Sequence, residues 1–225
     1  MKFDRRYVLA AGGALAVAGT LAFHGFGDRG SPFMQVPGMS QANAQSRDLA
    51  TLNEPPAIGD RVLGEADAPV TVIEYASATC PHCASFHTDT FPTLKEEFID
   101  TGKVRFVFRE FPFDDLALAA FMLARCAPEE RYFPLIDVLF EEQQTWTKNP
   151  HEELLKIARM AGFTAESFDK CLANEEVAKG IIAIRTTAGE KYGVDSTPTF
   201  FINGEIFKGN QPIESFREAI AEAEG

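Results

Sequence analysis

Val70-Thr71-Val72-Ile73-Glu74-Tyr75-Ala76-Ser77-Ala78-Thr79-Cys80-Pro81-His82-Cys83 is the stretch whose reading decides the fold. Its first half is apolar and β-branched, bounded by Pro69 and by Ala76-Ser77, and reads as a buried central strand. Its second half places two cysteines two residues apart, at the opening of a helical pattern that runs to about Ile99. Pro81 suits the first helical turn, because it lacks an N–H that would find no partner there. Cys80 then sits at the helix N-terminus, where free backbone N–H groups and the helix dipole favour negative charge. Cys83, one turn further in, is shielded. A thiol must ionise before it attacks a disulfide. The pattern therefore implies a thiol–disulfide exchange centre, with Cys80 as the exchanging sulfur and Cys83 as its resolving partner. His82 lies beside both sulfurs and, when protonated, would stabilise the Cys80 thiolate. Stabilising the reduced thiolate makes the disulfide form a stronger oxidant.

Other readings use the same residues. A c-type haem site needs a histidine directly after the second cysteine, and Ala84 stands there. A zinc site would draw on Cys80, Cys83 and His87, but it lacks a second close Cys/His pair. A purely structural Cys80–Cys83 bridge would restrain the unfolded chain little, because the loop it closes is so small.

Working outward, a first short strand is expected around Ile58 to Leu63. Within the helix after the cysteines, Phe91, Leu94 and Phe98 share a face, Pro92 should kink the rod, and Thr101-Gly102 ends it. Val104 to Phe111 reads as a second long strand stopped by Pro112. From Asp114 to Tyr192 the period is helical, with stripes at Leu116, Ala120 and Leu123, at Leu135, Ile136, Leu139 and Phe140, and at Leu154, Ile157, Ala158 and Ala161. Asn149, before Pro150, and Asn174 read as N-caps; the last long helix carries Val177, Ile181, Ile184 and Ala188. Thr199-Phe200-Phe201-Ile202 meets Asn203-Gly204, the preferred pair of a tight hairpin, and Glu205-Ile206-Phe207-Lys208 returns. Pro212 starts a final helix with Ile213, Phe216 and Ile220 inside. The sum is an α/β thioredoxin-like fold with an inserted all-helical domain: core residues 58–113 and 193–225, insertion 114–192.

Ahead of this core, Lys2, Arg5 and Arg6 precede an uncharged run from Tyr7 to Phe23 that is short and weakly apolar for a membrane span. The pair Arg5-Arg6 followed by Tyr7-Val8-Leu9 resembles a twin-arginine export signal. Ala42-Asn43-Ala44 offers a small-residue cleavage pattern, so 1–44 reads as an export signal, or alternatively as a retained anchor, and 45–57 as a linker. Export implies an oxidising compartment, in which all four cysteines (80, 83, 126 and 171) could be paired. The charge is acidic, 33 Asp and Glu against 21 Lys and Arg, for a formal balance of -12. That argues against nucleic acid and against an anionic membrane surface as partner.

Over roughly residues 57 to 223 the chain resembles the DsbA family of periplasmic thiol–disulfide oxidoreductases, and the cysteine-bearing insertion is most similar to α-proteobacterial members. The resemblance rests on the Cys80-Pro81-His82-Cys83 tetrad and the helical insertion. It implies that Thr197-Pro198 is the fold's cis-proline pair, with the Thr197 backbone docking the substrate peptide. It also implies that Glu74, six residues before Cys80, lies beneath the site and assists proton transfer at the buried cysteine. The alternatives are an ordinary strand-initiating proline and an edge carboxylate that reaches solvent. Committing Cys80 to Cys83 leaves Cys126 with Cys171, a loop of about 45 residues whose closure would stabilise by roughly 4 kcal/mol. The alternatives are two free buried thiols or a second redox pair that tunes the first. His87 and His151 are assigned no role, and residues around Phe86 and Phe111 are candidates to line a peptide groove.

The activity so implied is a dithiol oxidase, its substrates unfolded exported polypeptides with cysteines and its reoxidant a DsbB-like membrane quinone reductase. No cofactor or metal is required. The rivals are a disulfide isomerase or reductase, and a metal-binding chaperone module.

Overall fold

Strand β2 (Val70–Ala76) is the axis of a five-stranded sheet, because its residues are apolar on both faces and both faces are covered. The computed structural model describes residues 49–225; the expected export signal and the first residues of the expected linker lie outside the described residues. The strand order is β1-β3-β2-β4-β5, formed by β1 (Arg61–Leu63), β3 (Val104–Glu110), β4 (Thr199–Ile202) and β5 (Glu205–Lys208). β2 and β3 run parallel, as a strand–helix–strand crossover requires, and the remaining pairings are antiparallel. Asn203, at φ 46°, and Gly204 turn the β4–β5 hairpin, and Asn203 Oδ1 accepts from the Thr71 N–H.

The crossover is one helical rod in four pieces: α1 (Pro81–Ser85), a π-helical turn (Phe86–Thr90), α2 (Phe91–Leu94) and a second π turn (Lys95–Ile99). Pro92 cannot donate to the carbonyl four residues back. The chain answers by widening, so that the Phe91 N–H reaches the Phe86 carbonyl instead. Gly102, at φ 77°, then turns the chain into β3.

Between β3 and β4 lie six helices: α3 (Asp115–Cys126), α4 (Tyr132–Glu141), α5 (Gln143–Trp146), α6 (Pro150–Met160), α7 (Ala165–Leu172) and α8 (Glu175–Tyr192). Helix α9 (Ile213–Glu224) closes the chain. Asn174 caps α8 by accepting from the Glu176 and Val177 N–H groups. Asn149 precedes α6, but its side chain donates to Glu152 rather than accepting from the backbone. Of the expected α3 stripe, Ala120 and Leu123 are buried and Leu116 is not. Asp114 caps this helix and turns Ala117, Ala120, Phe121 and Ala124 inward, leaving Leu116, in the first turn, 38% exposed. Cys126 and Cys171 are joined by a disulfide that ties the end of α3 to α7.

Two apolar clusters follow from the pleat of β2. Val70, Val72 and Ala76 face the crossover rod, α9 and the insertion; Ile73 and Tyr75 face α8. The second cluster includes Leu52, from the segment expected to be a linker. That segment is bound rather than loose. Arg109 donates to the Leu52 and Glu54 carbonyls, and the Tyr192 hydroxyl bonds the Thr51 carbonyl at 2.9 Å. Two leucines, Leu49 and Leu52, among polar residues are too few to carry a period, so the sequence pattern could not show it. Arg125 binds the buried Glu110 through two nitrogens and also donates to the Ile58 and Gly59 carbonyls, joining insertion, sheet and N-terminal strap. Among the described residues no helix is long and apolar enough to cross a membrane.

Candidate active site

The cysteine pair stands where β2 runs out and the crossover rod begins. Cys80 is the N-cap residue of α1, with extended backbone, and Pro81 occupies the first turn. Cys80 and Cys83 are both free in the structure, which therefore describes the dithiol form. The Cys80 thiol donates to the Thr197 carbonyl at 3.3 Å, across a cis Thr197-Pro198 peptide bond at the head of β4.

The two thiols are pulled in opposite directions. Cys80 is drawn down to about 5, first by a hydrogen bond from Cys83, with help from Thr197 and from the backbone N–H groups of Cys83 and His82 at the helix start, and against its own burial. Cys83 is pushed well above the usual thiol value, chiefly by burial, then by its bond to Cys80 and by the charge of Glu74. The His82 side chain is exposed, and its backbone N–H helps to hold the Cys80 thiolate. His82 stands two residues past the Cys80 cap, in the first turn of α1.

Glu74 is fully buried beneath the pair and bonds His87 at 2.9 Å. It does not reach solvent, because its register neighbours Phe108 and Phe200 flank it on both sides. His87, given no role by the sequence reading, lies on the same helical face as Cys83 four residues earlier, a spacing from which its inward direction could have been read. Zinc ligation by Cys80, Cys83 and His87 is not what this arrangement offers: among the described residues no three such side chains are grouped to hold a metal ion.

Sequence reasoning also missed Gln143. From α5, its buried Nε2 donates to the carbonyls of Ala78 and Cys80, at 2.8 and 3.0 Å, and so fixes the loop that carries the reactive sulfur. An isolated glutamine bonded to backbone 63 and 65 residues away leaves no trace in spacing. Replacing Gln143 with Ala strands buried acceptors, so a loss of roughly 1–3 kcal/mol is expected in urea unfolding of the dithiol form. Phe86 and Phe111 are core residues, not groove residues. The exposed apolar side chains beside the loop are Phe113, at 45%, and Leu116. They are held there by the Phe113 N–H bonding Ser77 Oγ and by Thr79 Oγ1 donating to Asp114.

A family model described as thioredoxin matches residues 57–222. The crystal structure of Wolbachia pipientis alpha-DsbA1 is 32% identical and superposes with a TM-score of 0.71, covering 76% of this chain and 94% of that one. The chain belongs to the DsbA family. Bacillus subtilis BdbD, 26% identical with a TM-score of 0.66, covers 76% of the chain and is itself covered to 96%. A Rickettsia bellii relative described as a protein-disulfide oxidoreductase is 38% identical over 167 residues, 73% of this chain. The match spans 64% of that relative and 60% of a Rickettsia conorii counterpart, less than two thirds of their length. In this chain the cysteine pair meets the cis Thr197-Pro198 loop, and Gln143 from the helical insertion bonds the loop before it.

Proposed function

We propose that the protein is an exported dithiol oxidase that donates the Cys80–Cys83 disulfide to folding secreted polypeptides. The observation that carries this reading is the opposite pull on the two thiols. A Cys80 thiolate held at about 5 stabilises the dithiol product and leaves readily, both of which favour giving the disulfide away. A substrate thiolate attacks Cys80 Sγ, forming a mixed disulfide; the Cys80–Cys83 bond breaks, and its electron pair passes to Cys83 Sγ, which takes a proton. The substrate's second thiolate then attacks the substrate sulfur, closing the client disulfide and expelling Cys80 as a thiolate. The two electrons remain on the cysteines, so the cycle needs no cofactor.

Thr197-Pro198 is the edge on which a peptide backbone would dock, with Phe113 and Leu116 offering apolar surface to an unfolded chain. The Cys126–Cys171 bridge braces the insertion that holds Gln143. The twin-arginine-like N-terminus supports a periplasmic location, and a DsbB-like membrane quinone reductase is the matching reoxidant. The test is equilibration with glutathione, paired with oxidation of a reduced two-cysteine peptide. An oxidase is expected near the oxidising end of the scale, about -120 mV. A potential near thioredoxin's, roughly -270 mV, with no peptide oxidation would reverse the direction of electron flow.

A further inference from the structure

Among the described residues, only four buried side-chain nitrogen or oxygen atoms lack a hydrogen-bond partner: Arg61 Nε, Glu74 Oε1, His87 Nδ1 and Thr197 Oγ1. Three of the four belong to residues at or beneath the cysteine pair, so the unpaired atoms are concentrated where the chemistry is. Orphaned buried polar atoms are rare because each costs free energy. Glu74 and His87 leave one each while sharing a bond of 2.9 Å between Oε2 and Nε2. The imidazole is fixed on every side. It stacks on Phe140 at 4.2 Å and meets Phe86 and Phe108 edge-on, at 5.2 and 5.8 Å. No rotation of the ring is needed for Nε2 to donate to Oε2.

We propose that His87 is a positioning residue for the proton of Cys83: its Nε2–H holds Glu74 Oε2, which leaves Oε1 as the one carboxyl oxygen free to carry a proton to and from the buried sulfur. The assignment rests on the dithiol-exchange reading above and deepens it. When the Cys80–Cys83 bond breaks, the electron pair stays on Cys83 Sγ. A proton carried by Oε1 is handed to that sulfur; the H–Oε1 bond breaks, the H–Sγ bond forms, and Glu74 returns to a carboxylate. His87 keeps its own proton throughout, and its bond to Oε2 becomes charge-assisted at the moment the carboxylate reappears. On reoxidation the same proton leaves Cys83 by the reverse route. The charged and titratable groups facing the pair are Cys83, within reach of the Glu74 charge, and Asp137 from α4, whose carboxyl feels His87. Without His87 the carboxyl group would be free to turn either oxygen, or neither, toward the sulfur.

The experiment follows the rate at which reduced glutathione opens the Cys80–Cys83 disulfide in the full chain, from about pH 5 to 9. His87→Leu removes the donor and is expected to slow opening about tenfold or more across this range. His87→Gln, whose amide N–H reaches the same oxygen, is expected to restore most of the rate. In a Glu74→Gln background His87→Leu should add no further loss, and alkylation of Cys80 in the reduced variants should match the parent. Equal slowing by Leu and Gln, or a full loss persisting in the Glu74→Gln background, would overturn the assignment. Should His87→Leu not fold, ¹⁵N shifts of His87 in the unmodified protein decide: the Nε2–H tautomer supports the proposal, and a bare Nε2 rejects it. Glutathione opens the disulfide whether or not peptides are oxidised, so failure of the oxidase reading would show separately, in the peptide assay.

Discussion

Alkylation of the reduced protein, followed from about pH 3 to 9, is expected to rise with a midpoint near 5, and Cys80→Ser is expected to abolish both this reaction and peptide oxidation. The midpoint is the titration of Cys80, whose thiol is drawn down to about 5 by Cys83, Thr197 and the helix-start N–H groups. A thiol lowered on folding adds stability that is complete above its unfolded value, near 9, and is lost as pH falls through about 5. Only the dithiol form carries this contribution. The reduced protein should therefore lose stability relative to the oxidised one as pH drops from neutral through 5, a difference readable in parallel urea unfolding curves. Above that pH, reduction takes up two electrons and one proton, the latter at Cys83. The potential should then fall by about 30 mV per pH unit. A pH-independent alkylation rate, or a midpoint near 9, would remove the physical basis for the oxidase reading.

The second large effect concerns the fold rather than the chemistry. Arg125→Met should destabilise the protein by about 3–5 kcal/mol, because it leaves Glu110 buried without its cation. Glu110 is fully buried and receives Arg125 Nη2 at 2.8 Å and the Tyr132 hydroxyl at 2.6 Å. Adding Glu110→Leu should recover part of the loss, since the uncompensated charge is gone. Recovery should stay incomplete, because Arg125 Nη1 also satisfies the Ile58 and Gly59 carbonyls, at 2.9 and 2.8 Å. Thermal and urea unfolding of the single and double variants measure both steps. A single variant as stable as the parent would show that the cluster is not holding the strap and insertion to the sheet.

The sequence by itself determined the parts that depend on neighbours along the chain. β2, the helix start at Cys80, the hairpin at Asn203-Gly204 and the inner stripe of α4 all follow from periodicity, β-branching and turn chemistry acting over a few residues. The family resemblance named the proline loop and the buried acid, which spacing alone left open. What the sequence could not fix were the contacts that join distant segments. Leu52 buries itself in the second core through a bond network with Arg109, yet its own surroundings read as linker. Ala120 and Leu123 of the expected α3 stripe are buried, but Leu116, in the first turn after the Asp114 cap, is exposed beside the cysteine loop. Gln143 reaches the Cys80 carbonyl from another helix, and His87 meets Glu74 across the rod–sheet interface. His82 shows the same division from the other side: its type suggested an imidazolium beside the thiolate, and the structure adds that its backbone N–H helps to hold the sulfur while its side chain is exposed. Local sequence specifies which elements form, because their energies are local. Which buried polar atoms find partners is decided only when the elements pack. The Cys80-Pro81-His82-Cys83 stretch therefore identified the chemistry, and the tertiary structure decided which groups control its protons.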